Sequence, residues 1–416
     1  MLLAATNPLP LSSLNGTNGF RLDGVGVDDW SGYSVSDVGD VNADGFDDLV
    51  IGASSADPGG KQNAGSSYVV FGRSGGFTSG SDLSALNGLN GFRIDGIDVG
   101  DNSGRSVNTA GDVNGDGFDD LIIGAFFGDA GASNAGEVYV VFGKSGGFAS
   151  AINLSALDGA VGFRLDGIDI DDRAGVSVSG AGDVNGDGFD DLIIGAYFAD
   201  VGANSSGESY VVFGKSGGFG SAIDLSALNG SNGFRLDGID AGDLSGISVS
   251  TAGDVNGDGF GDVIVGASFG KAGVNAVGDS YVVFGASAGF ASAVDLATLD
   301  GTTGFRVDGV DVDDSAGRAV SSAGDVNGDG FDDLIIGAYR SDISGLNSGQ
   351  SYVVFGKSGG FASAIELSAL NGTNGFRIDG KNAGDQSGWS VSGAGDTNGD
   401  GFDDLIIGAR CLRIRA

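Results

Sequence analysis

Apolar residues in this chain fall in short runs, separated by stretches rich in glycine and aspartate, and the runs return in a fixed order. In one round, Gly175-Val176-Ser177-Val178-Ser179-Gly180-Ala181 carries small residues, Asp191-Leu192-Ile193-Ile194-Gly195-Ala196 is apolar, Ser209-Tyr210-Val211-Val212-Phe213-Gly214 is apolar again, and Gly233-Phe234-Arg235-Leu236-Asp237-Gly238 alternates. Runs this short, bounded by turn residues, predict four β-strands, A to D. Strands B and C read as buried on both faces, A as a crowded inner strand and D as a half-exposed outer one. Between C and D, Ser216-Gly217-Gly218-Phe219 and Asp224-Leu225-Ser226-Ala227-Leu228-Asn229-Gly230 predict a turn and then a short helical turn or ledge carrying Leu and Phe under the strands.

The round is repeated with a period of about 71 residues, giving units near 25–96, 97–167, 168–238, 239–309, 310–380 and 381–409. Four antiparallel strands per unit at a fixed period predict an all-β fold, a β-propeller of four-stranded blades in which neighbours cover one another's apolar faces. Repeats occupy nearly all of the 416 residues, so 1–416 reads as a single domain. Residues 14–24 hold a strand of type D without a unit of its own, and 410–416 form an atypical tail with three Arg and the lone Cys411. The expectation is a six-bladed toroid in which Phe20–Asp23 lies beside unit six as its outer strand. Leu412-Arg413-Ile414 would fill the place of strand C poorly, leaving a weak seam at Leu405–Ile407. The alternative is an open arc of a seven-bladed parent.

A nine-residue loop joins A to B in all six units. Position 1 is Asp40, Asp112, Asp183, Asp254, Asp325 and Asp396; position 3 is Asn42, Asn114, Asn185, Asn256, Asn327 and Asn398. Position 5 is Asp44, Asp116, Asp187, Asp258, Asp329 and Asp400; position 9 is Asp48, Asp120, Asp191, Asp262, Asp333 and Asp404. Position 7 is Phe46, Phe118, Phe189, Phe260, Phe331 and Phe402, which offers only its backbone carbonyl. Position 6 is always Gly, where the chain must turn sharply and a Cβ would clash. Oxygens at alternate positions of a tight loop suit a hard cation that takes ~6–8 oxygen ligands, and Ca²⁺ better than Mg²⁺. About six Ca²⁺ are expected, one per loop. Position 12 is apolar in every copy, as at Ile123 and Val265, so these are not EF-hands. The competing reading is a polar hairpin turn that binds nothing, but three mutually repelling carboxylates in nine residues argue against it.

The net charge is −36 with no His, which makes nucleic acid a poor partner and removes every His-dependent catalytic arrangement. One Cys permits no intrachain disulfide, and the N-terminus has no signal-peptide pattern. No apolar run approaches the ~20 residues of a membrane span. Carboxylates are plentiful, yet nearly all belong to repeated motifs, so the chain reads as a non-enzyme. Two sets of positions vary between otherwise matching units. Before strand A stand Trp30, Asn102, Arg173, Leu244, Ser315 and Gln386; at its start stand Tyr33, Arg105, Val176, Ile247, Arg318 and Trp389. Aromatic, Arg and amide residues of this kind mark a contact surface for a protein or glycan ligand on the upper loop face, although drift at exposed loops would give the same variation.

Asp-x-Asn-x-Asp-Gly-x-x-Asp, then Leu-Ile-Ile-Gly-Ala, then Tyr-Val-Val-Phe-Gly resembles the FG-GAP repeats of integrin alpha propellers and their bacterial relatives. The resemblance implies calcium in the A–B loops on the lower face, at the loop positions given above. It departs in the residue before the strand-A Gly, which is Ser31 or Ala174 rather than Phe, and in showing six units where integrin-like propellers have seven. The resemblance implies an extracellular or cell-surface protein, and the near-identity of the repeats suggests the bacterial type. The expected function is a calcium-binding adhesion or ligand-binding module. The alternatives are a passive structural repeat of a large surface protein and a propeller accessory to a secreted hydrolase.

Overall fold

The computed structural model describes residues 10–200, 204–270 and 277–410. In unit three, strand A is Ser177–Gly182, B is Asp191–Ala196, C is Glu208–Val212 and D is Gly233–Asp237. They form one antiparallel meander in which Val178 faces Ile194, Ile194 faces Tyr210 and Tyr210 faces Arg235. Units one to five repeat this sheet, and the described part of unit six holds A and B, Ser387–Gly395 and Asp404–Ala409. The chain is a β-propeller, and no helix among the described residues is long and apolar enough to cross a membrane.

The ledge contains a strand that the sequence pattern did not predict. Ala222–Asp224 of unit three pairs in parallel with strand D of unit two, Gly162–Asp166, placing Ile223 opposite Leu165. A single 3₁₀ turn, Leu225–Ala227, follows, capped by Asp224, whose side chain accepts the Ser226 N–H, and it buries Leu225. Units two to five each thus add a fifth strand to the preceding blade, and the packing of Phe agrees. Phe219 of unit three stacks on Phe163 of unit two at 4.2 Å and tilts against Phe142 at 5.9 Å.

The core sits between blades. One cluster joins Ile122, Val138 and Phe163 of unit two to Leu192, Ile194 and Tyr210 of unit three. Leu121 and Ile123 point the other way and pack with Val50 and Val69 of unit one. Alternate residues of a strand face opposite ways, so strand B is apolar throughout because a blade lies on each side. Strand A is kept small because its neighbours are other A strands. The Ser106 hydroxyl accepts the N–H of Val178 at 3.1 Å, and Ser177 accepts that of Val249 at 3.0 Å.

Closure of the ring through unit six is not observed. The N-terminal strand Arg21–Asp23 pairs in parallel with the ledge Gly80–Asp82 of unit one, as the D strands of units one to four pair with the next ledge, and Phe20 stacks on Phe77 at 4.0 Å. Ile406 is 62% exposed, whereas its equivalents Ile122, Ile193, Ile264 and Ile335 are at 0%. Val35 of unit one is 64% exposed against 3% for Val107. A Cβ on Gly195 would run into the backbone of Gly246 in the next unit, but one on Gly408 meets only Ser390 of its own unit. An outer strand reaches B only through an intervening C, and none stands there among the described residues. The units therefore form an arc open between six and one, although all six A strands border a common channel. Residues 411–416, expected to fill the place of strand C, lie outside the described residues.

Candidate metal centre

Each nine-residue loop is wound by its own side chains. In unit three, Asp183 at position 1 accepts the N–H groups of Gly186, Asp187 and Gly188 at 2.7, 3.0 and 2.9 Å. Asn185 accepts the Asp187 N–H at 2.9 Å, and Asp187 accepts that of Phe189 at 3.1 Å. Position 6 is left-handed in all six copies, with φ of 89° at Gly188 and 90° at Gly401. No atom lies within 4 Å of where its Cβ would stand, so the backbone angle, and not a clash, is what demands Gly.

Position 9 is the loop's anchor. Asp191 is fully buried; one oxygen accepts the Val184 N–H at 2.9 Å and the other that of Gly214, leaving strand C, also at 2.9 Å. Desolvation is the main reason its carboxyl is pushed up to about 8, and nearby Asp187 and Asp183 add to the rise. Asp120 and Asp262 are likewise raised to about 8, and Asp48 and Asp333 to about 7, by desolvation first. Asp404 of unit six accepts from Thr397 at 3.0 Å and Asn398 at 3.1 Å.

As placed, no three acidic groups among the described residues stand in an arrangement that would hold a metal ion. The donor set nevertheless fits a hard cation. Every side-chain donor is an oxygen, each oxygen of the anchor Asp191 keeps a second lone pair beyond its bond to an N–H, and a buried acid with two acidic neighbours calls for positive charge.

Neighbouring loops are locked together by two contacts that the spacing of oxygens did not single out. Position 8 is Asp in five of six copies, and Asp190 of unit three accepts the N–H of Asp112, first residue of the unit-two loop, at 2.8 Å. Asp119, Asp332 and Asp403 do the same to Asp40, Asp254 and Asp325 at 2.9, 2.7 and 2.9 Å. Unit four has Gly261 there and lacks this bond. The Phe at position 7 also has a side-chain role, since the ring of Phe189 occupies the space that a Cβ on Gly115 would need. The repetition of Asp at position 8 was the available signal.

At the other end of strand A lies a cavity of about 730 Å³ lined by Tyr33, Arg105, Val176, Ile247, Arg318 and Trp389. All six residues of the variable strand-start set meet here. Of the crossing set only Trp30 lines it. Trp30, Asn102, Arg173, Leu244, Ser315 and Gln386 share a different property, a left-handed backbone with φ from 52° to 59°. Behind the crossings of units two to five lies a buried acidic group, Asp101, Asp172, Asp243 or Asp314. Asp172 is pushed up to about 7, mainly by desolvation and then by Glu208, Asp169 and Asp200.

The FG-GAP repeat model matches residues 32–70, 103–141, 174–212, 245–283, 316–354 and 387–410, more than half of the chain. The protein belongs to the FG-GAP repeat family. It is 32% identical to integrin alpha-5 of Xenopus laevis over 195 residues, 45% of this chain and 17% of that protein. It is 30% identical to integrin alpha-V of Gallus gallus over 247 residues, 58% of this chain and 20% of that protein. It is also 34% identical to human phosphatidylinositol-glycan-specific phospholipase D over 175 residues, 40% of this chain and 19% of that protein. The chain thus spans a fifth or less of each of these relatives.

Proposed function

We propose that residues 1–416 act as one extracellular β-propeller domain that holds calcium in its A–B loops and takes a ligand at the opposite end of strand A. The observation that carries the reading is the position-9 carboxylate. In units one to five it is buried, drawn up by desolvation and flanked by two further acids. Positions 1, 3, 5 and 9 would supply side-chain oxygens and position 7 a carbonyl. The bound ion would neutralise the three carboxylates and fix the A–B turn. The ring of varying residues around the cavity supports ligand binding, and the similarity to integrin alpha chains accords with it. A role beside a hydrolase is the second reading, favoured by the match to the phospholipase D. Protein and glycan arrays probed with the calcium-loaded chain test the ligand-binding part: a hit lost on Trp389→Ala supports it, and an absence of hits favours a structural spacer.

A further inference from the structure

Three arginines line the cavity: Arg105 and Arg318, at the starts of strands A, and the exposed Arg410, which lies over Trp389 at 4.6 Å. The six D-strand arginines each hold an Asp two residues on, as Arg235 holds Asp237 at 2.5 Å. Arg105 and Arg318 have no ion pair among the described residues, in a protein of net charge −36. Both are half-buried and face aromatic rings, Arg105 over Tyr33 at 3.8 Å and Arg318 over Trp389 at 5.5 Å. Burial lowers the Arg105 pKa, and the charge of Arg318 lowers it further. Two cations held towards each other in a partly dry cavity are unfavourable, and a cation–π contact leaves their charge without a counter-ion.

At the six strand starts that line the cavity, from unit one to unit six, the side chains run aromatic, Arg, apolar, apolar, Arg, aromatic. We propose that this cavity binds an acidic carbohydrate, with Arg105 and Arg318 gripping carboxylates of uronic acid units. Guanidinium forks match carboxylates bidentately. Val176 and Ile247 offer an apolar floor between them. Trp30, 60% exposed and stacked on Tyr33 at 6.0 Å, offers a flat face for a sugar ring. The inference deepens the ligand-face reading and rests on it.

Trp30 and Trp389, the only two Trp of the chain, both line the cavity, so tryptophan fluorescence reports on it directly. The calcium-loaded full chain is titrated with a hyaluronan hexasaccharide, with neutral chitohexaose and with a hexaglutamate peptide. The expected result is saturable change with hyaluronan, none with chitohexaose, and affinity at least ~10-fold weaker in Arg105→Gln and Arg318→Gln. Melting temperature checks the fold of both variants, and Arg105→Gln should not lower it, since an unpaired cation is removed. An equal response to chitohexaose, unchanged affinity in both folded variants, or binding of hexaglutamate alone overturns the proposal. If none of the three probes binds but an array ligand does, lost on Trp389→Ala, the ligand-face reading stands and the acidic-carbohydrate assignment fails.

Discussion

The carboxylate of Asp190 accepts the backbone N–H of Asp112 at 2.8 Å, tying the third loop to the first residue of the second. The bond runs from a candidate metal loop to its neighbour, so loops are coupled in pairs while the blades keep nearest-neighbour cores. Asp190→Ala should cost ~1–2 kcal/mol. Hydrogen exchange should rise in units two and three and stay unchanged in unit five. Conversely, Gly261→Asp should build the missing link to Asp183 and raise stability by ~1 kcal/mol. The new Cβ would approach the Ala181 carbonyl at 2.8 Å, so the loop must settle back to the place its equivalents hold. A fall in melting temperature would show that it does not.

Leu244 sits at φ 57° in the crossing before strand A of unit four. A left-handed backbone costs an ordinary residue ~1–2 kcal/mol and Asn less. Leu244→Asn should therefore stabilise the protein by ~1 kcal/mol in denaturant unfolding. Loss of stability would mean that Leu244 packs more than its conformation costs.

The open junction has its own test. Ile264→Thr puts a hydroxyl into a core position at 0% exposure and should cost ~2–4 kcal/mol. Ile406→Thr, at the equivalent position of unit six, is 62% exposed and should change stability by less than ~0.5 kcal/mol. Equal losses would mean that another blade covers unit six in solution.

Asp172 gives a pH dependence separate from the loops. Its carboxyl, at about 7, lies far above the ordinary range because it is buried beside Glu208, Asp169 and Asp200; Glu208 also faces Arg235 at 3.7 Å. Between about pH 4 and pH 7 the unfolded chain loses this proton while the folded one keeps it, so stability falls as pH rises, by up to ~1.4 kcal/mol per pH unit. Below that window the penalty is absent; above it the slope vanishes. Asp172→Asn should be more stable than the parent at pH 8 and show a shallower slope between pH 4 and 7. Parallel pH curves for the two would refute the assignment.

The strands and loops were legible because their signals are local. Asp191–Ala196 is apolar and bounded by turn residues, and the loop oxygens recur at fixed positions. The ledge strand Ala222–Asp224 is three residues long and pairs with a D strand of the preceding unit, so no local period announces it. The Asp190–Asp112 bond and the contact of Phe189 with Gly115 span adjacent units in the same way. The convergence of Tyr33, Arg105, Arg318 and Trp389 was visible as variation at one repeat position, but which set faced the channel was not. Ring closure failed as an expectation because no strand C of unit six stands, among the described residues, between Asp404–Ala409 and the type-D strand Arg21–Asp23.

The central claim is that the A–B loops are calcium sites. Equilibrium dialysis of the full chain against calcium counts the ions directly. The account predicts about six bound per chain with dissociation constants of ~10⁻⁴–10⁻³ M. Saturation should raise the melting temperature, and chelation should return it. Uptake of none at millimolar calcium, or no shift in melting temperature on chelation of a loaded sample, would contradict it.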